Sequence, residues 1–403
     1  MRAFILFAAL PLFACSASPS DAPPQLDQEA LTDIPQSQIK KQATGTCWIF
    51  TTAAWIESVT NAGPTVWPNV SEAYITYFSW LERLQKNDLV KDDAGALQVR
   101  TDGYVGEGFE LARRRGLMRE ADFGVTAEMT AAAAREVAVA LAPGGEHDTK
   151  AKRGDAHVVR RVLDRGFRLS PTVKSAMTRA FGQDLARTLD DGVELPPSIT
   201  APAAIVVGFD GDRAVTLADA IGAPVRGDET FRHRGAYAWS DVEIGVDEPL
   251  AATTLRMKSA LNAGFPVPIY WTVAAGHASP DDVSFHAARQ ADVPIPDAAH
   301  ESLIDDYAVR LANGEVLPLG RAEERPDALA STLDEESHVE VVRAKNSWGF
   351  TRYGAPVGAD DHRGYVDLEW RYLVPTHGTP RLGFLWLPGP AFRNVRPARA
   401  KAR

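Results

Sequence analysis

Gln42-Ala43-Thr44-Gly45-Thr46-Cys47-Trp48-Ile49-Phe50 is the stretch on which the reading of this 403-residue chain turns. A lone thiol follows a small Gly/Thr-rich turn. Behind it runs an apolar, helix-compatible segment: Trp48, Ile49, Phe50, Ala53, Ala54, Trp55 and Ile56. The pattern predicts a buried helix from Trp48 to Val59, with Cys47 in its first turn. The start of a helix stabilises negative charge, so the thiolate is favoured over the thiol, and the thiolate is the nucleophile. The competing reading is a buried cysteine acting only as a small hydrophobe. Partners elsewhere in the chain decide between them.

A cysteine nucleophile needs a base, a group that orients the base, and donors for an oxyanion. His300, in Ala299-His300-Glu301-Ser302, stands immediately before an expected strand over Leu303 to Leu311. His286 is the alternative base. Asn346 closes the strand expected over Val339 to Ala344. Its amide oxygen can accept from one imidazole nitrogen and leave the other facing the thiol. Gln42 offers an amide donor to the oxyanion beside the N–H of Cys47. His233, His277, His338, His362 and His377 lack metal-ligand spacing, so neither a metal nor another cofactor is expected.

The net charge of −10 argues against nucleic acid as the main partner. Met1-Arg2 and the short apolar run Ala3 to Phe13 read as an export signal (residues 1–15), too short to span a bilayer. Leu12-Phe13-Ala14-Cys15 resembles the lipobox of bacterial lipoproteins, which makes Cys15 the expected lipidation site. The expected location is the bacterial cell envelope, lipid-anchored and facing the periplasm or exterior; secretion is the alternative. The chain has two cysteines, so a processed or lipidated Cys15 leaves Cys47 unpaired, a reactive thiol by default.

Residues 16–37, rich in Ser, Pro, Ala, Asp and Gln, read as a flexible tether. Residues 38–125 read as a helical lobe. Its second helix starts at Ser71, and its third runs from Phe109 to Arg115 behind the glycine-rich loop Asp102-Gly103-Tyr104. An Ala-, Arg- and Asp-rich segment, 126–200, reads as a helical insertion with helical stretches at Ala127–Leu141 and Ala156–Phe181. Its mixed charges read as a solvated face. Residues 201–392 carry strand patterns over Ala203 to Gly208, Phe265 to Val273, Gly364 to Leu368 and Phe384 to Leu387, with a helix at Leu255 to Leu261. Ala312 to Ser337 reads as an acidic loop, and 393–403 as a basic, unstructured tail.

Together these motifs resemble the papain superfamily of cysteine peptidases, and within it the bleomycin hydrolase/aminopeptidase C branch. Gly45-Thr46-Cys47-Trp48-Ile49-Phe50 resembles that family's nucleophile motif. Val70-Ser71-Glu72-Ala73-Tyr74 and Phe78-Ser79-Trp80-Leu81-Glu82 resemble the branch's next helix. Asp102-Gly103-Tyr104, with Gly116 ending the helix, resembles its substrate-binding glycine loop. Lys345-Asn346-Ser347-Trp348-Gly349, then Gly364-Tyr365, resembles the asparagine block. The likeness covers residues 38–124 and 250–375. Gln42 lies one residue closer to Cys47 than in the family, with Gln38 as the substitute donor, and Asp102 replaces one glycine of the substrate loop.

The resemblance implies a two-lobed α+β fold, a helical lobe plus an antiparallel β-barrel-like lobe. It implies catalysis by Cys47, His300, Asn346 and Gln42, with Asp102, Gly103 and Trp348 at the substrate side and Trp348 covering the asparagine–histidine pair. The implied function is hydrolysis of peptide bonds in a peptide or protein substrate, through an acyl-enzyme. The alternative is a catalytically inactive papain-like lipoprotein that binds a peptide or partner.

Overall fold

The computed structural model describes residues 31–32, 34, 36–61, 69–224, 233–273, 284–285, 298–349, 364–374 and 383–397. The export signal, Cys15 and His286 lie outside them, as do His277, His362 and His377. The architecture is α+β, helices first and an antiparallel sheet second, the class read from the sequence.

Helix α1 (Cys47–Asn61) is the central element. Trp48, Ile49, Ala53, Trp55, Ile56 and Val59 are all buried, so the helix is apolar on more than one face and belongs inside. Its buried hydroxyls are satisfied locally: Thr52 and Thr60 donate to the carbonyls of Trp48 and Ile56. Helix α2 (Glu72–Lys86) begins where Ser71 caps it, accepting the Tyr74 N–H at 3.1 Å, and ends at Asn87 in the left-handed conformation. Strands β1 (Leu89–Lys91) and β2 (Leu97–Val99) form a hairpin. Helix α3 spans Val105–Arg115, four residues earlier than read from the sequence. Its glycines look like helix breakers, but Gly108 lets the helix lie directly on Thr52 of α1.

Helices α4 (Glu120–Phe123), α5 (Ala127–Leu141), α6 (Lys150–Arg153), α7 (Ala156–Gly166) and α8 (Pro171–Phe181) follow. The stretch read as helical over 156–181 is therefore two helices. The break falls at Arg168, with φ 52°, and at Ser170-Pro171, which cap and start α8. These helices dock on the aromatic face of α2. Tyr77 and Trp80 meet Phe167 edge-on, Phe78 meets Phe181, and the Tyr77 hydroxyl donates to Asp164 of α7 at 2.7 Å.

The chain then forms β3 (Val206–Asp210), β4 (Arg213–Thr216) and α9 (Leu217–Ile221), followed by the paired β5 (Ala223–Pro224) and β6 (His233–Arg234). The strand expected from Ala203 starts later, because Pro202 opens a 3-10 turn over Pro202–Ala204. Next come β7 (Trp239–Glu243), α10 (Leu250–Asn262), β8 (Val267–Val273), β9 (Ser284–Phe285) and β10 (Ala298–Arg310). Helix α10 starts five residues before the expected helix. Segment 312–337 is no plain loop: it contains β11 (Val316–Leu317) and α11 (Pro326–Ser331). Strands β12 (His338–Lys345) and β13 (Tyr365–Glu369), helix α12 (Trp370–Leu373), and strands β14 (Phe384–Pro388) and β15 (Val395–Pro397) complete the order.

The main sheet runs β7-β14-β8-β10-β12-β13-β9, with β11 on β10, and is antiparallel except for the β13–β9 pair. Helix α1 lies across β10 and β8. Two terminal segments differ from the expectation. Strand β15 pairs with β3 and buries Val395, so 395–397 is not an unstructured tail. The end of the supposed tether is docked: Leu31 and Ile34 are buried, and the Leu31 N–H donates to Asp306 at 2.8 Å.

Candidate active site

Cys47 opens α1 and is half-buried. The segment before it is a tight turn, Thr46 N–H to Thr44 carbonyl at 2.7 Å, and Thr46 then accepts from Ile49 and Phe50. The N–H groups of Cys47, Trp48 and Glu301 all favour negative charge on the sulfur. They act in the direction expected of a helix start. Burial acts the other way and wins, with the nearby Glu301 carboxylate adding to it, so the thiol is pushed up to about 12. The thiolate expected from position alone is therefore not the resting form that this burial favours.

His300 lies inside β10 rather than before it, and it is buried. Strand β10 extends five residues further toward its N-terminus than the expected strand, because Ala298–Ile304 pair with Val267–Val273 of β8. On the other side β10 pairs antiparallel with β12, Leu303 opposite Lys345. That register carries His300 to the level of the residues just past Lys345. There His300 Nε2 lies 2.7 Å from Asn346 Oδ1. The same oxygen accepts the Ser347 N–H at 2.7 Å, which fixes the amide plane. Trp348 covers the pair, its ring tilted 31° to the imidazole at a centroid distance of 4.6 Å. Trp271 of β8 meets the imidazole edge-on at 5.9 Å. Burial in this apolar box pulls His300 down to about 4, against the Asn346 hydrogen bond.

Gln42 is tied to the same loop. Its N–H donates to the Ser347 carbonyl at 2.8 Å, and its Oε1 accepts from Ser347 Oγ at 2.6 Å. With the amide oxygen so engaged, Nε2 is the end left to donate. Gln38 instead helps line a small cavity with Lys40, Glu57 and Lys345. Asp102 is turned outward: its side chain is 69% exposed and bonds Arg100 at 2.6 Å. Gly103 packs beneath, against Trp48, whose Nε1 donates to the Thr101 carbonyl at 2.8 Å. Gly116 ends α3 as expected, at φ 69°.

Three features escaped the sequence. Ser347, inside the asparagine block, joins Asn346 to Gln42, a tie across 305 residues that no local signal marks. Glu301 is fully buried beside Cys47; its Oε1 accepts the Val105 N–H at the head of α3, while Oε2 has no hydrogen-bond partner among the described residues. A polar strand residue reads as outward, but α1 lies across β10 and the head of α3 supplies the Val105 N–H to Glu301. The third is a buried ion network. Lys40 Nζ contacts Glu72 at 2.6 Å and Glu57 at 3.1 Å, and Glu57 also accepts the Val70 N–H. Against the pull of burial, the two carboxylates hold Lys40 above its ordinary range. The network pins the segment carrying Gln42 onto α1. Among the described residues no cluster of His, Cys, Asp and Glu could hold a metal ion, and no helix is long and apolar enough to cross a membrane.

No protein-family model matches this sequence, and no curated protein matches it. Among solved structures the chain is similar to the clostridial cysteine protease Cwp84 at 9% identity, over 87% of this chain and 54% of that one, TM-score 0.33. It is similar to PepW from Lactobacillus rhamnosis HN001 at 10% identity, over 88% and 80%, TM-score 0.38. It is also similar to xylellain, a cysteine protease from Xylella fastidiosa, at 14% identity, over 89% and 84% of the two chains, TM-score 0.37.

Proposed function

We propose that this protein is a cysteine peptidase of papain-like mechanism. The observation that carries the reading is the 2.7 Å contact of His300 Nε2 with Asn346 Oδ1, buried under Trp348. It fixes the ring so that Nδ1 is left for the thiol. Because burial favours the neutral pair, Cys47 gives its proton to His300 Nδ1 as the sulfur attacks the scissile carbonyl. The new C–S bond forms while the carbonyl π pair moves to oxygen. Gln42 Nε2 and the Cys47 N–H receive that oxyanion. His300 returns the proton to the leaving amine, then takes one from water to release the acyl group. Glycine loop residues Asp102 and Gly103 flank the bound peptide, and Trp348 keeps water from the His300–Asn346 pair.

Membership in the bleomycin hydrolase branch, export, and lipid attachment at Cys15 belong to the same proposal. Mass spectrometry of the membrane-extracted chain, looking for a diacylglyceryl group on Cys15, tests the anchor.

A second reading, an inactive papain-like lipoprotein that binds a peptide or partner, is favoured by one observation: burial pushes Cys47 up to about 12 and His300 down to about 4, away from an ion pair. One experiment separates the two. Alkylation of Cys47 by iodoacetamide is followed by mass spectrometry from acidic to mildly basic pH, alongside hydrolysis of a peptide library. A peptidase shows hydrolysis lost in Cys47→Ala, and alkylation that is fast well below the reference thiol value of about 8.5 and slows in His300→Ala. A thiol that never outpaces an ordinary titration, with no hydrolysis, supports the binding protein.

A further inference from the structure

A groove of about 1020 Å³ runs between α7 and α8. Its lining carries six cations, Arg160, Arg161, Arg165, Arg168, Lys174 and Arg179, against one carboxylate, Asp164. This concentration sits on a chain of net charge −10. Some of the cations have structural duties. Arg160 donates to the carbonyls of Gly182, Gln183 and Lys174. Arg161 and Arg165 share Glu146, Arg165 also meets Glu136, and Arg179 meets Glu194. Those three glutamates are outside the groove lining. Arg168 and Lys174 have no carboxylate within ion-pair distance among the described residues.

Arg168 is the informative one. After α7 the Arg168 N–H bonds the Arg165 carbonyl at 3.1 Å and the Leu169 N–H bonds the Asp164 carbonyl at 3.0 Å. This is a Schellman turn, and its left-handed position normally holds glycine. Arginine stands there instead, at φ 52°, with its side chain in the groove. Stability alone would select glycine; the cation is kept at the expense of backbone strain.

We propose that this groove is a docking site for an extended acidic peptide segment, separate from the Cys47 chemistry. His157, Arg161 and Arg165 step along one face of α7, and Arg168 follows in the turn that ends it. A four-residue step rises about 6 Å along a helix, close to the roughly 6.8 Å repeat of same-side residues in an extended chain. Carboxylates of such a chain meet Arg168 and Lys174 directly and compete with Glu146 for the guanidinium forks of Arg161 and Arg165. No Phe, Tyr or Trp lines the groove to stack a nucleobase, so a nucleic acid strand fits it less well.

The test is fluorescence anisotropy of a labelled peptide of alternating Glu and Ser, about 12 residues and roughly 40 Å when extended. It is titrated with the full chain bearing Cys47→Ala, so that the peptide stays intact. Saturable binding that weakens as salt is raised is expected. Arg168→Gly should raise the melting temperature yet weaken binding about tenfold, and Lys174→Gln should weaken it similarly. Absence of saturable binding, unchanged affinity in both variants, or a melting temperature that falls in Arg168→Gly would each overturn the proposal. So would binding of inorganic polyphosphate but not of the peptide, which would make the groove a phosphate-polymer site.

Discussion

Replacing Gly103 with alanine tests how tightly the substrate-side turn is fitted to the nucleophile. A Cβ built on Gly103 lies 2.8 Å from Cε2 of Trp48, 2.9 Å from Glu107 Oε2 and 3.0 Å from Arg83 Nη2. Carbon pairs rest at about 3.5–4.0 Å, so the indole overlaps the methyl by at least half an ångström. Glu107 and Arg83 are the flexible ends of an ion pair and can swing aside. Trp48 cannot: it is 0% exposed and its Nε1 is bonded to the Thr101 carbonyl. The expected cost is that of overpacking, about 1–3 kcal/mol. Because Trp48 follows Cys47 in the first turn of α1, a displaced ring should also alter the thiol. Urea denaturation reads the first effect and the rate of Cys47 alkylation the second. Gly124→Ala is the control. That residue sits at φ 68° with open space around it, so the change should cost about 1 kcal/mol through the backbone and leave alkylation unchanged. A Gly103→Ala protein as stable as the parent, or one that is destabilised with unaltered Cys47 reactivity, would refute the argument.

Two further outcomes follow from single contacts. Ser71→Ala removes the oxygen that accepts the Tyr74 N–H at the buried start of α2 and should cost about 1 kcal/mol in urea denaturation; no loss would mean that the cap is made another way. Burial alone would raise the Glu82 carboxyl, but the two-pronged contact of Arg114 at 2.7 and 3.0 Å, with Arg115 beside it, brings it down to about 2. A depressed carboxylate stabilises the fold above its unfolded value and loses that contribution as pH falls through the folded one. Stability should therefore decline between about pH 5 and pH 2 by on the order of 3 kcal/mol from this group, and Glu82→Gln should flatten that part of the curve; an unchanged acid limb would sink the assignment.

Local chemistry made much of this fold readable. Ser71 before an aromatic run, the alanine-rich period of α5 and the apolar seam behind Cys47 each set an element by short-range physics, and each element formed. The neighbourhood of His300 and Asn346 was legible because two alternating strands bracket both residues. Long-range effects were not legible. The start of β10 depends on its pairing with β8, which no local signal encodes, and so the sequence pattern leaves His300 outside the strand. The glycines at the start of α3 have the composition of a loop, yet Gly108 serves close packing against Thr52 of α1. Arg168 breaks 156–181 from a position where arginine gives no warning of a turn. Glu301 looks like an exposed strand residue until α1 and the head of α3 enclose it. The balance of charge at Cys47 is hidden for the same reason: the helix start is visible in the sequence, the depth of burial is not.

The ties between Leu31 and Asp306, Ser37 and Lys345, and Gln42 and Ser347 span 275, 308 and 305 residues of chain. They set a timetable. Contacts of such separation form late, because the intervening loop must close before they return anything. The nucleophile helix can fold early from its own neighbourhood, but the residues around Asn346 must emerge and pair before Gln42 and His300 gain their partners. A chain still being made thus carries Cys47 without its apparatus. The proposed proteolytic competence arrives with the last third of the polypeptide, which spares the machinery that synthesises it.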